Sequence, residues 1–210
     1  DRLAFVADLA ANWASLRRTP SQDRRVALVL ANYPNRDGRI GNGVGLDTPA
    51  STAAILCALK AEGYACDGAP DSSAALMTLM TGGVTNDPTS PDRSGDIALP
   101  LATYHAAFAA LPSMVQRTVR ERWGEPDADP FVRDGAFRLA IHRFGHVVVA
   151  VQPARGYNID PKASYHDPAL PPPHVYLAFH IWLNKEFGAH AVIHVGKHGN
   201  LEWLPGKAVS

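Results

Sequence analysis

A chain of 210 residues with 46% hydrophobic side chains has enough apolar material to bury the core of one large domain or two small ones. The 20 basic and 20 acidic side chains cancel, so the sequence lacks the excess positive charge of nucleic-acid-binding domains. No apolar run approaches the roughly 20 residues of a membrane-spanning helix, and 2 cysteines are too few for a disulfide framework. We therefore expect a cytoplasmic protein without a nucleic-acid or membrane partner.

The first part of the chain predicts a helix, a strand and a second helix. Apolar residues from Leu3 to Leu16 recur every three or four positions, which predicts an amphipathic helix over residues 3–18. The run RVALVLANY, from Arg25, is continuously apolar, as is typical of a strand buried on both faces of a sheet. Asp47 or Thr48 is a suitable N-cap for the next helix.

The rest of the chain continues this alternation. FRLAIH and HVVVAVQ predict two strands around a turn at Phe144-Gly145, VYLAFHIWLNKEF predicts a helix, and AVIHV predicts a buried strand. Further helices are predicted near residues 73–81, 100–110 and 113–123. The fold class is therefore α/β, with an open, mostly parallel sheet and helices on both faces.

We expect residues 1–210 to form a single α/β segment with three parts. Residues 1–24 form a leading helix, and residues 25–151 form an α/β part with a Gly-rich loop. Residues 152–210 contain a proline-rich loop, a helix, a strand and the motif HGNLEWLPGK.

The Gly-rich loop PNRDGRIGNGVGLDTP lies between the first strand and the second helix, where phosphate-binding loops are often found. Its glycines do not follow the dinucleotide-binding spacing, because Leu46 stands where the third glycine belongs. No phosphate-binding loop of the G-x-x-x-x-G-K-[ST] type occurs in the chain either. A flexible surface loop and a rim over a ligand pocket both remain possible interpretations.

The second long connector, residues 152–174, contains six prolines and several residues suited to recognition. A long irregular run inside a compact domain is usually either functional or disordered. This one begins where a strand ends, and ligands of open α/β sheets bind beyond the carboxyl ends of the strands. We therefore expect both connectors to lie toward that edge of the sheet.

Histidines concentrate in the last part of the chain, where HVGKHGNLEWLPGK follows a predicted strand. We interpret His174 and His180 as structural residues, His174 at the start of a helix and His180 on a helix face. His194, His198 and Glu202 lie within nine residues at the expected carboxyl edge of the sheet. Zinc hydrolases carry a His-x-x-x-His pair on a helix, which the glycines here disfavour. These residue types alone predict a partial divalent-metal or acid–base site whose other ligands come from elsewhere.

The motif GKHGNLEWLPGK, preceded by HAVIHV, resembles the signature of the large subunits of tetrapyrrole metal chelatases. The stretches NYPNRDGRIGNGVGLDTPAS and VAVQPARGYNIDPKASYHDPALPPPHVYLAF also resemble the pattern of aerobic cobaltochelatases within this family. The resemblance covers nearly all of residues 25–208. One departure is Lys197, where many relatives have threonine. Such subunits are far longer than this chain, so the chain resembles an internal segment.

The resemblance implies a large, tetrapyrrole-binding subunit of an ATP-dependent cobaltochelatase. Such an enzyme inserts Co²⁺, as a substrate ion, into a corrin-ring precursor, hydrogenobyrinic acid a,c-diamide, in cobalamin biosynthesis. ATP is hydrolysed by separate AAA+ motor subunits, which agrees with the missing phosphate loop. The resemblance also implies that the chain is active only as part of the full-length subunit with those partners.

The same resemblance implies roles for individual residues. Insertion removes the N–H protons of the ring and strips ligands from the metal. Imidazole and carboxylate groups can accept those protons and can coordinate the metal. Glu202 and His198 are the expected catalytic residues, and the expected metal ligands are His194, His198 and Glu202. Aromatic faces and cations would bind a carboxylate-bearing ring; the residues expected to do so are Arg155, Tyr157, Tyr165, Lys197, Trp203 and Lys207.

Two alternatives stay open. The first is a magnesium chelatase large subunit that inserts Mg²⁺ into protoporphyrin. Trp203-Leu204, where magnesium chelatases carry a phenylalanine-methionine pair, and residues 149–179 argue against it. The second is a tetrapyrrole- or partner-binding module without chemistry of its own.

Overall fold

The computed structural model describes residues 2–32, 37–87, 93, 95, 97–156, 167, 169–196, 199, 201, 204 and 205. Its helices are α1 (Arg2–Arg18), α2 (Thr48–Ala61), α3 (Ser73–Gly82), α4 (Leu101–Ala109), α5 (Ser113–Trp123) and α6 (His174–Ile181). Its strands are β1 (Val26–Leu30), β2 (Asn42–Gly43), β3 (Leu46–Asp47), β4 (Ala98–Pro100), β5 (Val132–Arg133), β6 (Ala136–Arg138), β7 (Ile141–Phe144), β8 (Val147–Val151) and β9 (Ala191–Val195).

The central sheet has four strands in the order β7-β8-β1-β9. Strand β1 pairs in parallel with both β8 and β9, while β7 runs antiparallel to β8 in a hairpin. Leu30 at the end of β1 lies opposite Val151 of β8 and Val195 of β9, so the three parallel strands end at the same level. The predicted open, mostly parallel sheet is confirmed.

Helices cover both faces of this sheet because the side chains of a strand alternate between its two sides. Val26, Leu28 and Leu30 of β1 pack in one cluster with residues of α2 and α3. Ala27 and Val29 pack on the other side with residues of α4, α5 and α6. Strand β1 is buried along its whole length, as its apolar run predicts.

The prediction that AVIHV is a buried strand is wrong for part of its length. Strand β9 lies at the edge of the sheet and pairs with β1 alone among the described strands. Val192 is 45% exposed and Ile193 is 41% exposed. A short apolar run is compatible with a central strand or an edge strand, and only the pairing partners decide between them.

Helix α1 forms where its spacing predicts it, but none of its residues is buried. Most of its apolar side chains are exposed, among them Leu3 at 81% and Trp13 at 67%. The predicted helix is therefore confirmed, but its apolar side chains do not pack in a core within the described part of the chain. Among the described helices, none combines the length and the apolar character needed to cross a bilayer.

The structure also contains two small antiparallel sheets that the sequence did not predict. Strands β4, β6 and β5 form one of them. The predicted strand FRLAIH is wrong in part, because its first residues belong to β6 of this small sheet and only its last residues belong to β7 of the central sheet. Strands β2 and β3 form the other, within the Gly-rich loop. These strands have two or three residues each, which is too short to show an alternating pattern. The predicted helix VYLAFHIWLNKEF is α6 followed by a π-helical turn over Trp182–Glu186.

A buried hydrogen-bond chain joins α4 to α6. His174 Nε2 lies 2.9 Å from the carbonyl oxygen of Gly124, and His174 Nδ1 lies 2.7 Å from the hydroxyl of Tyr104. Since a carbonyl only accepts, Nε2 carries the proton and Nδ1 accepts from Tyr104. Neutral His174 therefore satisfies both partners inside the core, which agrees with its interpretation as a structural residue at a helix start.

Candidate functional site at the carboxyl edge of the sheet

Both long connectors begin at the carboxyl edge of the parallel strands, the Gly-rich loop after β1 and the proline-rich connector after β8. The backbone N–H of Gly41 donates to the carbonyl of Ala31 at 2.8 Å, which ties the Gly-rich loop to the end of the strand. The N–H of Gln152 donates to the carbonyl of Leu30 at 2.9 Å, which places the start of the proline-rich connector beside it. The predicted location of both connectors is confirmed for their described residues.

The Gly-rich loop folds into a tight hairpin that leads into α2. Val44 and Gly45, between β2 and β3, have φ angles of 49° and 96°, as the two-residue turns of hairpins require. Asp47 Oδ1 accepts from the N–H of Ala50 at 2.9 Å and so caps α2. A carboxylate thus occupies this helix N-terminus, and Pro49 in the first turn has no N–H. Both features are unfavourable for a phosphate group.

His194 lies at the carboxyl end of β9 and is partly buried. It is opposite Val29, whose side chain belongs to the α4–α6 side of the sheet. A Cβ atom added to Gly199 would lie 3.0 Å from Nδ1 of the His194 ring. Gly199 therefore lies against the His194 ring, and the lack of a side chain at this position lets the backbone approach the imidazole closely.

Gly196, directly after β9, has a backbone conformation that favours glycine. Its φ angle is 142°, in a region that side-chain-bearing residues rarely adopt. An added Cβ would lie 2.8 Å from the Cβ of Ala31, the residue that follows β1. Glycine at 196 therefore allows the chain to pass close to Ala31 directly after β9.

His180, on α6, is electrostatically coupled to His194. Burial, together with positive charge on His194, lowers the pKa of His180 to about 4. The His180 ring packs on Tyr176, with the ring centroids 4.8 Å apart, and on Phe179 at 5.3 Å. At neutral pH His180 is therefore a neutral imidazole close to the end of β9. Sequence reasoning missed it, because a single histidine on an apolar helix face carries no distinguishing signal.

This lowered pKa predicts a loss of stability in mild acid. The folded-state pKa of about 4 lies below the ordinary value of 6.5, so protonation favours unfolding. The stabilisation is complete above the ordinary pKa and is lost as the pH falls toward the folded value. Between pH 7 and pH 5 we expect His180 to account for roughly 2 kcal/mol of lost unfolding free energy. Thermal unfolding of wild type and His180→Leu over this range checks the prediction; equal pH dependence would contradict it.

Arg155 is a buried cation at the start of the proline-rich connector. It is 1% exposed, and its Nη2 donates to the carbonyls of Asp167 and Leu170, each at 3.1 Å. Burial lowers its pKa, while the nearby Tyr176 and Asp167 raise it. In this structure its guanidinium holds the two ends of the connector together. Its expected role in binding substrate stays a prediction.

The other predicted site residues lie outside the described residues: Tyr157, Tyr165, Lys197, His198, Glu202, Trp203 and Lys207. Among the residues that the structure describes, no three histidine, cysteine or acidic side chains come together as metal ligands. The predicted metal set of His194, His198 and Glu202 is therefore untested, and so are the predicted catalytic roles.

Two amides at this edge were also missed by sequence reasoning. Asn32 follows β1 and is 2% exposed, and Gln152 follows β8 and is 6% exposed. Each is the first polar side chain after a continuous apolar strand. That position is the sequence signal that could have identified them, because ligands bind beyond the carboxyl ends of parallel strands.

Comparison with known proteins decides the family. A family model described as CobN/Magnesium Chelatase matches residues 1–210. The chain belongs to the CobN/magnesium chelatase family. The aerobic cobaltochelatase subunit CobN of Sinorhizobium sp is 56% identical over 209 residues, which is 100% of this chain and 16% of the relative. A magnesium-chelatase subunit from Chlorobaculum parvum is 35% identical and aligns with 98% of this chain and 16% of the relative.

A solved family structure has the same fold. The catalytic subunit of cobaltochelatase from Mycobacterium tuberculosis aligns with a TM-score of 0.80 and 42% identity. The alignment covers 97% of this chain and 17% of the solved chain. The chain thus spans about a sixth of the length of the family members that it matches. The family resemblance inferred from the motifs is confirmed.

Proposed function

We propose that this chain is a segment of the large subunit of an ATP-dependent cobaltochelatase, which inserts Co²⁺ into a corrin-type precursor. The single observation that carries the proposal is the 56% identity with an aerobic cobaltochelatase subunit across the whole chain. The magnesium-chelatase relative is 35% identical over nearly the same residues. This difference favours cobalt and the corrin-type ring over magnesium and protoporphyrin.

The geometry at the carboxyl edge supports a role in metal insertion. His194 lies where the β9 strand ends, and the motif containing His198 and Glu202 follows directly in the sequence. Neutral imidazole is a suitable ligand for Co²⁺ on its way to the ring. A carboxylate or a second imidazole can accept the protons that leave the ring nitrogens. We assign the metal-binding role to His194, His198 and Glu202, and the proton-accepting role to His198 and Glu202.

We further propose that ring binding involves the aromatic and cationic residues of the proline-rich connector and the motif. Tyr157, Tyr165 and Trp203 would pack on the ring, and Lys197 and Lys207 would pair with its carboxylates. Arg155 differs from these cations in being buried against carbonyl groups. We infer that it contributes by fixing the ends of the connector that carries Tyr157 and Tyr165.

The proposal includes AAA+ partner subunits that hydrolyse ATP, since the chain contains no phosphate-binding loop of the common types. It also includes a cytoplasmic location and a chain that is one segment of a longer subunit. The test uses the full-length subunit with its motor subunits and ATP. Metal insertion is measured by the change in absorbance of the ring.

Two substrate pairs should be compared in that assay: Co²⁺ with hydrogenobyrinic acid a,c-diamide, and Mg²⁺ with protoporphyrin. We expect the cobalt pair to react at least roughly 100-fold faster, a discrimination that differential binding of the transition state can supply. Faster magnesium insertion would support the magnesium chelatase alternative. Ring binding without insertion of either metal would support a non-catalytic binding module.

A further inference from the structure

Strand β9 is an apolar strand with an open edge, which is the side of the strand that faces away from β1. Within the described part of the chain it pairs only with β1. Val192 is opposite Ala27, on the α4–α6 side of the sheet, and is 45% exposed. Ile193 is opposite Leu28, on the α2–α3 side, and is 41% exposed. Apolar surface is therefore exposed on both faces of the sheet at this edge.

The main chain of β9 also presents hydrogen-bonding groups at the open edge. In a paired strand, the N–H and C=O groups of alternate residues point to opposite sides. The N–H of Ala191 donates to the carbonyl of Arg25 at 3.3 Å, and the carbonyl of Val195 accepts from the N–H of the residue after β1 at 3.2 Å. Ala191 and Val195 therefore face β1, and the N–H and C=O of Val192 point away from it. Among the described residues, no strand lies on that side to bond them.

The opposite edge of the same sheet is built differently. Strand β7 carries an exposed arginine, Arg143, whose Nε donates to the carbonyl of Gly145 at 2.8 Å. Charged side chains on an edge strand are one of the devices that prevent further strand pairing. The sequence of β9, AVIHV, contains no lysine, arginine, acidic residue or proline. It resembles VVVAV of the inner strand β8, which is buried throughout.

The family relatives have enough additional chain to cover this edge. Parallel strands have both faces covered, and they are joined by crossover connections within one chain. This chain aligns with 16% of the CobN subunit of Sinorhizobium sp and with 17% of the solved subunit from Mycobacterium tuberculosis. Most of each relative therefore lies outside the aligned segment. One further strand with its covering helices would bury Val192 and Ile193 and bond the main chain of β9.

We propose that β9 is an inner strand in the full-length subunit, because a parallel strand from another segment of the same subunit pairs with its open edge. This rests on the proposed function, which makes the chain one segment of a longer subunit. Parallel strands have their carboxyl ends at the same edge of a sheet, where ligands bind. The added strand therefore ends beside His194, and the residues that follow it contribute to the proposed insertion site.

The test is residue-resolved hydrogen exchange of the full-length subunit, purified without its motor subunits. The N–H of Ile193 faces β1 and is the internal reference. We expect the N–H of Val192 to be protected as strongly as that of Ile193, at least roughly 100-fold over an amide without a hydrogen bond. Fast exchange of Val192 beside a protected Ile193 would overturn the inference. Protection of Val192 only with motor subunits, or only in a dimer of the subunit, would also overturn it, since another chain would then cover the edge.

Ile193→Lys provides a second test in the full-length subunit. Lysine suits an exposed sheet edge but is unfavourable in a strand with both faces covered. We expect this substitution to speed the exchange of Val192 at least roughly tenfold and to lower cobalt insertion. Met114→Lys is the matched control, because Met114 on α5 is 65% exposed, and it should keep wild-type exchange and insertion.

Wild-type exchange and melting in Ile193→Lys would mean that β9 stays an edge strand, contrary to the inference. If this variant does not fold, the exchange of Val192 in the wild-type subunit decides. Failure of wild type to insert cobalt would count against the proposed function itself. The exchange of Val192 requires no substrate, so it would still test the added strand.

Discussion

Replacing Gly196 with alanine is expected to destabilise the carboxyl edge of the sheet by about 3 kcal/mol or more. The φ angle of 142° is unfavourable for alanine, and the new Cβ would lie 2.8 Å from the Cβ of Ala31. Neither the backbone strain nor the steric contact can relax easily, because β1 is buried between two layers of helices. The measurement is thermal unfolding of the purified protein, with hydrogen exchange of the peptides that contain β1 and β9.

Gly82→Ala is a matched control for this substitution. Gly82 ends α3, and no atom lies within 4 Å of an added Cβ, so alanine should be neutral or slightly stabilising there. Gly199→Ala provides a graded comparison, since its Cβ would meet the His194 ring, which can rotate away, rather than a neighbouring strand. Wild-type melting and exchange in Gly196→Ala would contradict the close approach of Gly196 to Ala31.

The central sheet could be predicted from the sequence because its strongest signals are local. The continuous apolar runs of β1 and β8 are what strands covered on both faces require, and both strands are buried throughout. Helices α2 and α3 have side-chain caps from Asp47 and Ser72, which mark their starts. Features set by a few neighbouring residues could thus be predicted from the chain alone.

Features that depend on distant partners could not be predicted. Similar apolar runs form β8, which has two neighbouring strands, and β9, which has one described neighbour. Likewise, the helical spacing of α1 indicates an apolar stripe but not what covers it. In the candidate site, His194 could be predicted from its place at the end of a strand. His180 could not, because its relation to His194 depends on how α6 packs across the sheet.

The catalytic assignment leads to the prediction with the largest expected effect on activity. Glu202→Gln in the full-length subunit should lower the rate of cobalt insertion roughly 10²–10⁴-fold, as expected for the loss of a general acid–base group. Glutamine keeps the size of the side chain but is neither a proton acceptor nor an anionic ligand. The assay requires the motor subunits, ATP, Co²⁺ and the corrin-type ring, and a melting curve of the same preparation.

Glu186→Gln makes the same chemical change at an exposed position in the π-helical turn and should leave insertion unaffected. An exposed carboxylate with no catalytic role changes the free energy of unfolding by no more than about 0.5 kcal/mol when it is replaced. Lost insertion with unchanged melting in Glu202→Gln would therefore separate a chemical role from a structural one. Normal insertion would exclude Glu202 as the proton acceptor, and a large fall in melting temperature would mean that the carboxylate stabilises the motif instead.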